Sequence, residues 1–309
     1  MKKISIVIPA HNEEGNVVLI HEKIKKVFSN LNGYDFEVIF VNDGSNDTTQ
    51  DHLFELSKKY EEVKFIEFSR NFGHQSAVKA GVDHAFGNAV ISMDGDLQHP
   101  PELIPKLVEK WEEGYDIVYT IRTYPVQISY FKRKSSDFFY YILASISDVN
   151  LTKGAGSDFR LLDKSAVEIM RNFKEDDLFL RGLTSWMGLR QAGVEFTALE
   201  RKTGASSYNL KKMLKFAFTG ITAFSVKPLY LAAYLGFGFS GFSVAAYILY
   251  VIYAFIANTE ISGWASLIMT IVFFGGVQLI ILGIIGIYIG KTFKQVKERP
   301  NYIIRSKNF

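Results

Sequence analysis

Hydrophobic and polar positions follow two different regimes along the chain. Up to Thr120, short β-rich apolar runs alternate with longer stretches of helical spacing. The pattern predicts strands near Ile4–Ala10, Phe36–Val41, Val63–Phe68, Ala89–Met93 and Ile117–Thr120. It predicts helices near Asn16–Ser29, Thr48–Lys59, Gln75–Ala85 and Pro101–Trp111. Strands that are apolar on successive residues are covered on both faces, and strands separated by helices pair mainly in parallel. Ligands of such open sheets collect outside the carboxyl ends of the strands, so the loop after each strand is the place to look for chemistry.

The second regime is the C-terminal third. Leu229–Ala257 and Trp264–Gly290 contain no charged residue, and each exceeds the roughly 20 apolar residues needed to cross a bilayer core. A soluble protein would need two consecutive helices apolar on every face to give the same pattern, so two membrane spans are expected. Lys211, Lys212, Lys215 and Lys227 precede the first span and Lys291, Lys294, Lys297 and Arg299 follow the second, whereas the connecting loop carries only Glu260. By the positive-inside rule both termini and the catalytic part face the cytoplasm, in an inner (plasma) membrane protein. Aromatic, partly basic stretches at Ile128–Ile146 and Tyr208–Phe224 mix lysines with Phe, Leu and Ile at helical spacing. The second, directly before a span, reads as an interfacial helix; the first fits that role or ordinary packing on the catalytic domain. The expected organisation is a catalytic unit over 1–207, a juxtamembrane amphipathic helix over 208–227, two spans within 228–290 (about 229–257 and 264–290) and a cytoplasmic tail over 291–309.

Composition narrows the partners. The 309-residue chain has a formal charge of +3 and no long block of one sign, which argues against a nucleic-acid partner. With no cysteine, disulfides, thiolate ligands and cysteine nucleophiles are excluded. The opening MKKISIVIPAHNEE has an apolar run of only Ile4–Ala10, too short for a signal peptide and suited to a first buried strand.

Carboxylates gather in the predicted strand-end loops: PAHNEE after the first, NDGSNDTT after the second and DGDLQHPPE after the fourth. The first loop lacks the glycine trio of a dinucleotide site. Asp94 and Asp96, at the end of the apolar run AVISM, suit a hard divalent cation that bridges protein to a diphosphate, although Asp and Gly are also ordinary turn residues. Asp43 has two readings, a cap for the following helix or a contact to a nucleobase. His74 and His99 sit in site loops without a second histidine at ligand spacing and read as loop contacts rather than metal ligands.

In their order and spacing, PAHNEE, NDGSNDTT, RNFGHQSAVKAG and MDGDLQHPPELIPKLVEKWEEGYDIVYTIR resemble the family 2 inverting glycosyltransferases of the A-type fold. GAGSDFRLLDK, then RKTGASSY and two spans, resembles the polyprenyl-phosphate branch, relatives of dolichol-phosphate mannose synthase and bacterial undecaprenyl-phosphate glucosyltransferases. The resemblance implies an α/β, Rossmann-like, mainly parallel sheet carrying interfacial helices and two C-terminal transmembrane helices. It implies that Pro9, Glu13 and Asp43, with Asp94, hold the donor nucleotide, and that Asp94 and Asp96 bind Mg2+ or Mn2+. Gln98 falls near the transferred sugar, Asp158 on the acidic catalytic position, and Arg201 on a phosphate contact. Arg160, Lys202, Ser206, Tyr208 and Lys211 join Arg201 on the acceptor side; Ser207 stands where relatives carry a lysine, for which Lys202 or Lys211 substitutes. The implied partners are a nucleotide-sugar donor, a polyprenyl phosphate acceptor and the lipid bilayer, with a homo-oligomer as a further expectation. UDP-glucose is the favoured donor, with GDP-mannose or a UDP-amino sugar as alternatives. A non-catalytic membrane scaffold or lipid-carrier flipping partner would account for the two spans but has no physical use for Asp43, Asp94, Asp96 and Asp158.

Overall fold

The computed structural model describes residues 1–123, 158–176, 178–197, 225–257 and 263–309. The described strands form a single mixed sheet in the order β7-β5-β6-β4-β1-β2-β3-β8. Its centre is parallel: β1 (Lys2–Ala10) lies between β2 (Tyr34–Asn42) and β4 (Ala89–Ser92), and β3 (Val63–Phe68) pairs with β2. Four helices fill the crossovers of the amino-terminal half: α1 (Val17–Phe28), α2 (Thr49–Lys59), α3 (His74–His84) and α4 (Ile104–Glu112). These are the elements that the apolar pattern predicts.

Period-two alternation along β1 explains the two-sided core. Ile4, Ile6 and Ile8 belong to one buried cluster with residues of α1, α2 and α4, whereas Val7 faces a second cluster with α3. Full burial of each such side chain stabilises by about 1.5–3 kcal/mol, so β1 anchors both layers. Gly81 of α3 is required by this packing, because a Cβ there would lie 2.1 Å from Val7 Cγ1.

Three strands, over Arg160–Asp163, Gln191–Thr197 and Ile304–Lys307, were not legible in the pattern, whereas the one near Ile117–Thr120 was. β5 (Ile117–Thr123) is parallel to β7 (Gln191–Thr197), while β6 (Arg160–Asp163) inserts between β5 and β4 and runs antiparallel to both. Two helices, α5 (Lys164–Arg171) and α6 (Leu180–Trp186), follow β6. The eighth strand, β8 (Ile304–Lys307), comes from the segment expected to be a tail and pairs antiparallel with β3. Around it, Asn308 Oδ1 accepts the Phe65 N–H at 2.7 Å, and Tyr302 stacks on Phe68 with ring centroids 5.2 Å apart. The chain end thereby covers an edge that would otherwise expose unpaired backbone groups.

Helices α7 (Lys227–Ala257) and α8 (Trp264–Val296) match the two apolar stretches, and α8 runs past Gly290 into the charged segment. Both are long and apolar enough to cross a membrane, and at most 6% of either apolar window is covered by protein. At the far end of α8, Gln295 bonds Lys174 O at 2.9 Å and the Asp176 N–H at 3.0 Å, tying the helix to the loop after α5. The stretches at 128–146 and 208–224 read as interfacial helices lie outside the described residues.

Candidate active site

Loops from neighbouring strands meet at the carboxyl end of the parallel strands. After β2 the chain turns at Gly44, whose φ of +63° and a Cβ position only 2.5 Å from the Arg70 carbonyl carbon admit no side chain. The loop after β2 can therefore press against the loop after β3. Asp43, 4% exposed, accepts the Phe72 N–H at 2.6 Å and the Gly73 N–H at 3.0 Å, and its own carbonyl lies 2.9 Å from His11 Nδ1 in the loop after β1. Burial raises the affinity of Asp43 for a proton, against the pull of those two amides. Pro9, Glu13, Asp43, Asn71, His74, Asp94 and Asp96 line the resulting cleft of about 420 Å³.

Asp158 reaches this end because β6 is antiparallel. Register pairs Arg160 with Ser92, the last residue of β4, and Ser92 Oγ donates to Asp158 O at 2.6 Å. The residue just before β6 thus lies beside the residues just after β4, although 64 positions of sequence separate Asp158 from Asp94.

A compact cluster forms there. His74, the first residue of α3, brings Nε2 within 3.4 Å of Asp94 Oδ1 and 3.2 Å of Asp158 Oδ2. Ligand atoms of His74, Asp94 and Asp158 all lie within 4.8 Å of one another. Asp94 Oδ1 is buried and has no hydrogen-bond partner, the 3.4 Å approach of His74 being poorly aligned for one. An orphaned carboxylate oxygen beside a second carboxylate and an imidazole is a donor set that fits Mg2+ or Mn2+. Desolvation pushes the Asp94 carboxyl up, helped by the nearby charges of Asp158 and Asp96 and opposed by His99 and His74. His99 Nδ1 lies 3.0 Å from the Asp94 backbone nitrogen and 3.5 Å from the Asp94 carboxylate. The ring, stacked 5.3 Å from Phe159, braces the backbone of the loop.

Asp158 has the opposite electrostatics. Burial alone would raise its pKa, but hydrogen bonds from His74 and Arg181, with the charges of Arg181 and Arg160, hold it well below the usual carboxylate range. Arg181 Nε and Nη2 donate to Asp158 Oδ1 and Oδ2, both at 2.9 Å. For His74, burial opposes protonation, yet the Asp158 hydrogen bond and the charges of Asp94 and Asp158 outweigh it and raise the imidazole pKa.

The other sequence-derived candidates are placed as follows. Pro9 is buried near the end of β1, and half-buried Glu13 accepts from Asn16 Nδ2 at the start of α1. Asp96 is exposed and its Oδ1 accepts the Gln98 N–H at 3.1 Å, across a turn in which Leu97 adopts φ +60°. The carboxylate grouped with Asp94 around His74 is therefore Asp158, where the sequence pattern paired Asp94 with Asp96. Half-buried Gln98 sits on the same turn. Arg160 is 5% exposed, bonds Thr184 Oγ1 and lies 3.9 Å from Asp158, with its pKa lowered by burial to about 10. It lies beneath Asp158 in the fold. Arg201, Lys202, Ser206, Tyr208 and Lys211 lie outside the described residues.

Sequence reasoning did not single out Gln75 or Arg181, and weighed His74 as a loop contact. His74 and Gln75 were visible in RNFGHQSAVKAG, where they fall on the first turn of α3. Arg181, in LFLRG, carries no local signal, since only the antiparallel path of β6 and the return through α5 bring it to Asp158.

The family model described as Glycosyl transferase family 2 matches residues 5–170. The chain is similar to an uncharacterized glycosyltransferase, YkcC, of Bacillus subtilis (strain 168), 43% identical with 97% of this chain and 93% of the relative covered. It is also similar to the SfII prophage-derived bactoprenol glucosyl transferase of Shigella flexneri, 38% identical over 99% and 98% of the two chains. Among solved structures, the mannosyltransferase PcManGT of Pyrobaculum calidifontis, in complex with GDP-Man and Mn2+, superimposes with a TM-score of 0.50 at 15% identity, over 96% of this chain and 87% of that one. The mixed α/β sheet is thus the A-type glycosyltransferase fold, and the match extends from β1 through the C-terminal helices. By sequence along its whole length and by fold, the chain belongs to glycosyltransferase family 2 and is a sugar-transferring enzyme.

Proposed function

We propose that the protein is a membrane-anchored inverting glycosyltransferase that moves a hexose, glucose from UDP-glucose foremost, onto a polyprenyl phosphate at the cytoplasmic face. The observation that carries this reading is the gathering of Asp94, His74 and Asp158, with an orphaned carboxylate oxygen, at the edge of the cleft that His74 and Asp94 line, on a chain that also bears two uncovered apolar helices. Similarity over nearly the full length to a relative named as a bactoprenol glucosyl transferase supports the lipid acceptor and the sugar.

In this reading the loops around Asp43 and Glu13 receive the nucleotide, and Asp94, with His74 and Asp158 or Asp96, holds Mg2+ or Mn2+ against the diphosphate. A divalent ion there supplies positive charge opposite the oxygen that becomes negative as the nucleotide leaves. The acceptor oxygen attacks the anomeric carbon from the face opposite the diphosphate, which inverts the configuration. A phosphate monoester has a second pKa of about 6 and arrives largely ionised, so little proton removal is needed. Asp158 suits that economy, because Arg181 and His74 hold it as a carboxylate with little appetite for a proton. Its task is to orient neighbouring groups, the His74 imidazole 3.2 Å away among them. Basic residues of the segment containing Arg201, Lys202 and Lys211 offset the repulsion between anionic donor and anionic acceptor.

The isoprenoid tail stays in the bilayer, so only its phosphate head can reach the cleft, and the two helices hold the enzyme where that head is. Lysines before the first span and after the second support a cytoplasmic catalytic domain. The test is transfer of radiolabel from a panel of nucleotide sugars, by the purified full chain, into organic-extractable lipid with short-chain polyprenyl phosphate as acceptor. UDP-glucose is expected to give labelled lipid only with Mg2+ or Mn2+ present. Label that stays in the aqueous phase for every donor, or transfer that survives chelation, would overturn the reading; lipid labelled from GDP-mannose or a UDP-amino sugar alone would overturn the donor.

A further inference from the structure

We infer that Arg181, buttressed by Gln75, is the positioning residue that fixes the direction of the Asp158 carboxylate. The inference rests on the proposed sugar transfer for its role in turnover and on geometry alone for its structure. Arg181 closes a fork on Asp158 through Nε and Nη2, each 2.9 Å from a different carboxylate oxygen. Two parallel bonds between two planar groups determine the plane of the carboxylate as well as its position, which a single point charge does not.

The fork is itself held in place. Gln75 Oε1 accepts the Leu180 N–H at 3.1 Å, at the first residue of α6, and Gln75 Nε2 lies 3.4 Å from Asp158 Oδ2. Asp158, Arg181, Leu180 and Gln75 therefore form a closed ring joining the first turns of α3 and α6 to the start of β6. Buried Arg160 bonds Thr184 Oγ1, and that hydroxyl donates to Arg181 O at 3.0 Å. The two residues flanking Phe159, one just before β6 and one at its start, are thus fastened to one short helix.

What the ring fixes is which way Oδ2 points. It faces His74 Nε2 at 3.2 Å, and the same nitrogen lies 3.4 Å from Asp94. Without Arg181, two carboxylates would share one imidazole beside an incoming diphosphate. Like charges so close repel, and rotation of Asp158 away from His74 is the cheapest relief. Arg181, with a side chain 28% exposed, neutralises Asp158 and leaves its Oδ2 beside His74, which lines the cleft.

A double-mutant cycle tests this, because a residue that acts through Asp158 has nothing further to lose once Asp158 is disabled. Arg181→Gln is expected to lower kcat about a hundredfold while the donor KM stays within about threefold, and Arg181→Lys, which keeps the charge but not the fork, to fall about tenfold. The pair Asp158→Asn with Arg181→Gln is expected to be no slower than Asp158→Asn alone. Multiplying losses in the double variant, or a Lys variant as impaired as the Gln variant, would overturn the assignment. Should Arg181→Gln not fold, as judged by circular dichroism, Arg181→Lys takes its place in the cycle under the same criterion. Reading the cycle also on slow hydrolysis of the nucleotide sugar by water separates the two claims. A wild type that hydrolyses donor but labels no lipid refutes the acceptor assignment and leaves the cycle readable.

Discussion

Glu37, in the amino-terminal half of β2, and Asp94, just past the carboxyl end of β4, are both carboxylates drawn out of water, and the fold treats them in opposite ways. Glu37 is 1% exposed, accepts from Ser5 Oγ at 2.6 Å and lies 2.6 Å from Lys64 Nζ and 3.0 Å from Lys3 Nζ. Burial would raise its pKa, but those three partners override it and leave Glu37 a stronger acid than usual. Asp94 has one buried oxygen with no partner and other carboxylates for neighbours, so desolvation wins and its pKa rises. A carboxylate that only holds the sheet together is saturated with donors, whereas one meant to meet a cation is kept short of them. Of these two acids, the difference marks Asp94 as the one placed to meet a cation.

The contrast breaks most sharply at Asp94. Asp94→Asn keeps the shape and removes the charge, and is expected to lower kcat/KM about a thousandfold, or ~4 kcal/mol of transition-state stabilisation. In chelated protein the same substitution leaves the urea midpoint unchanged or raises it, since it removes a repelled, poorly solvated charge. Steady-state kinetics with paired urea titrations check both halves. A loss of stability matching the loss of activity would show that Asp94 is structural after all.

Glu37→Gln is the reciprocal experiment. Removing a charge that two lysines and a serine surround is expected to cost about 2 kcal/mol of stability, below the full cost of breaking a buried pair because Lys3 and Lys64 are 41% and 23% exposed. Turnover per folded molecule should be unchanged, because Glu37 lies toward the other end of the strands from the cleft. The pH dependence follows from the two directions of shift. With its folded pKa depressed, Glu37 contributes stability that is complete above the unfolded value of about 4.3 and is lost as pH falls through the folded value. Asp94, with its folded pKa raised, binds its proton more tightly when folded and lowers stability as pH climbs through that range. Acid titration of unfolding should therefore flatten at its low-pH end in Glu37→Gln and lose its fall above the unfolded aspartate value, about 3.9, in chelated Asp94→Asn.

How much of this was legible depended on how local each feature is. The parallel strands, their crossover helices and both apolar helices are written in runs of adjacent residues, and their boundaries follow from periodicity. Acidic loops at strand ends were equally visible, because each lies within a few positions of its strand. The cluster itself was not, since His74, Asp94, Asp158 and Arg181 come from elements far apart in sequence, and Asp158 and Arg181 reach the other two through the antiparallel insertion of β6. A pattern that favours neighbours in sequence naturally pairs Asp94 with Asp96, two residues away. β8 was hidden for a related reason: RSKNF is polar, and its strand conformation comes from the backbone groups of β3 that it pairs with.

That strand supports the finest division of the comparison, a carboxylate between the two extremes. Asp83 of α3 pairs with Lys79 one turn away and accepts from Tyr302 Oη at 3.0 Å, so one of its partners is local and the other returns from the end of the chain. Tyr302→Phe removes that hydroxyl but keeps the ring stacked on Phe68, so neither the apolar contact nor the pairing of β8 need change. Loss of one hydrogen bond to a charged, partly exposed acceptor that keeps its lysine is expected to cost about 1 kcal/mol. Burial and the nearby Asp83 charge hold the Tyr302 phenol protonated throughout the working pH range, so the cost should not vary with pH up to mildly alkaline conditions. Because α3 carries His74 and Gln75 at its other end, activity also reports on whether the strap merely covers an edge or helps set the site. Unchanged kcat with a small fall in urea midpoint assigns it to the edge. A fall in kcat larger than the fall in stability would instead mean that the C-terminal return, tied to α3 through Tyr302 and Asp83, helps hold the cleft in its working geometry.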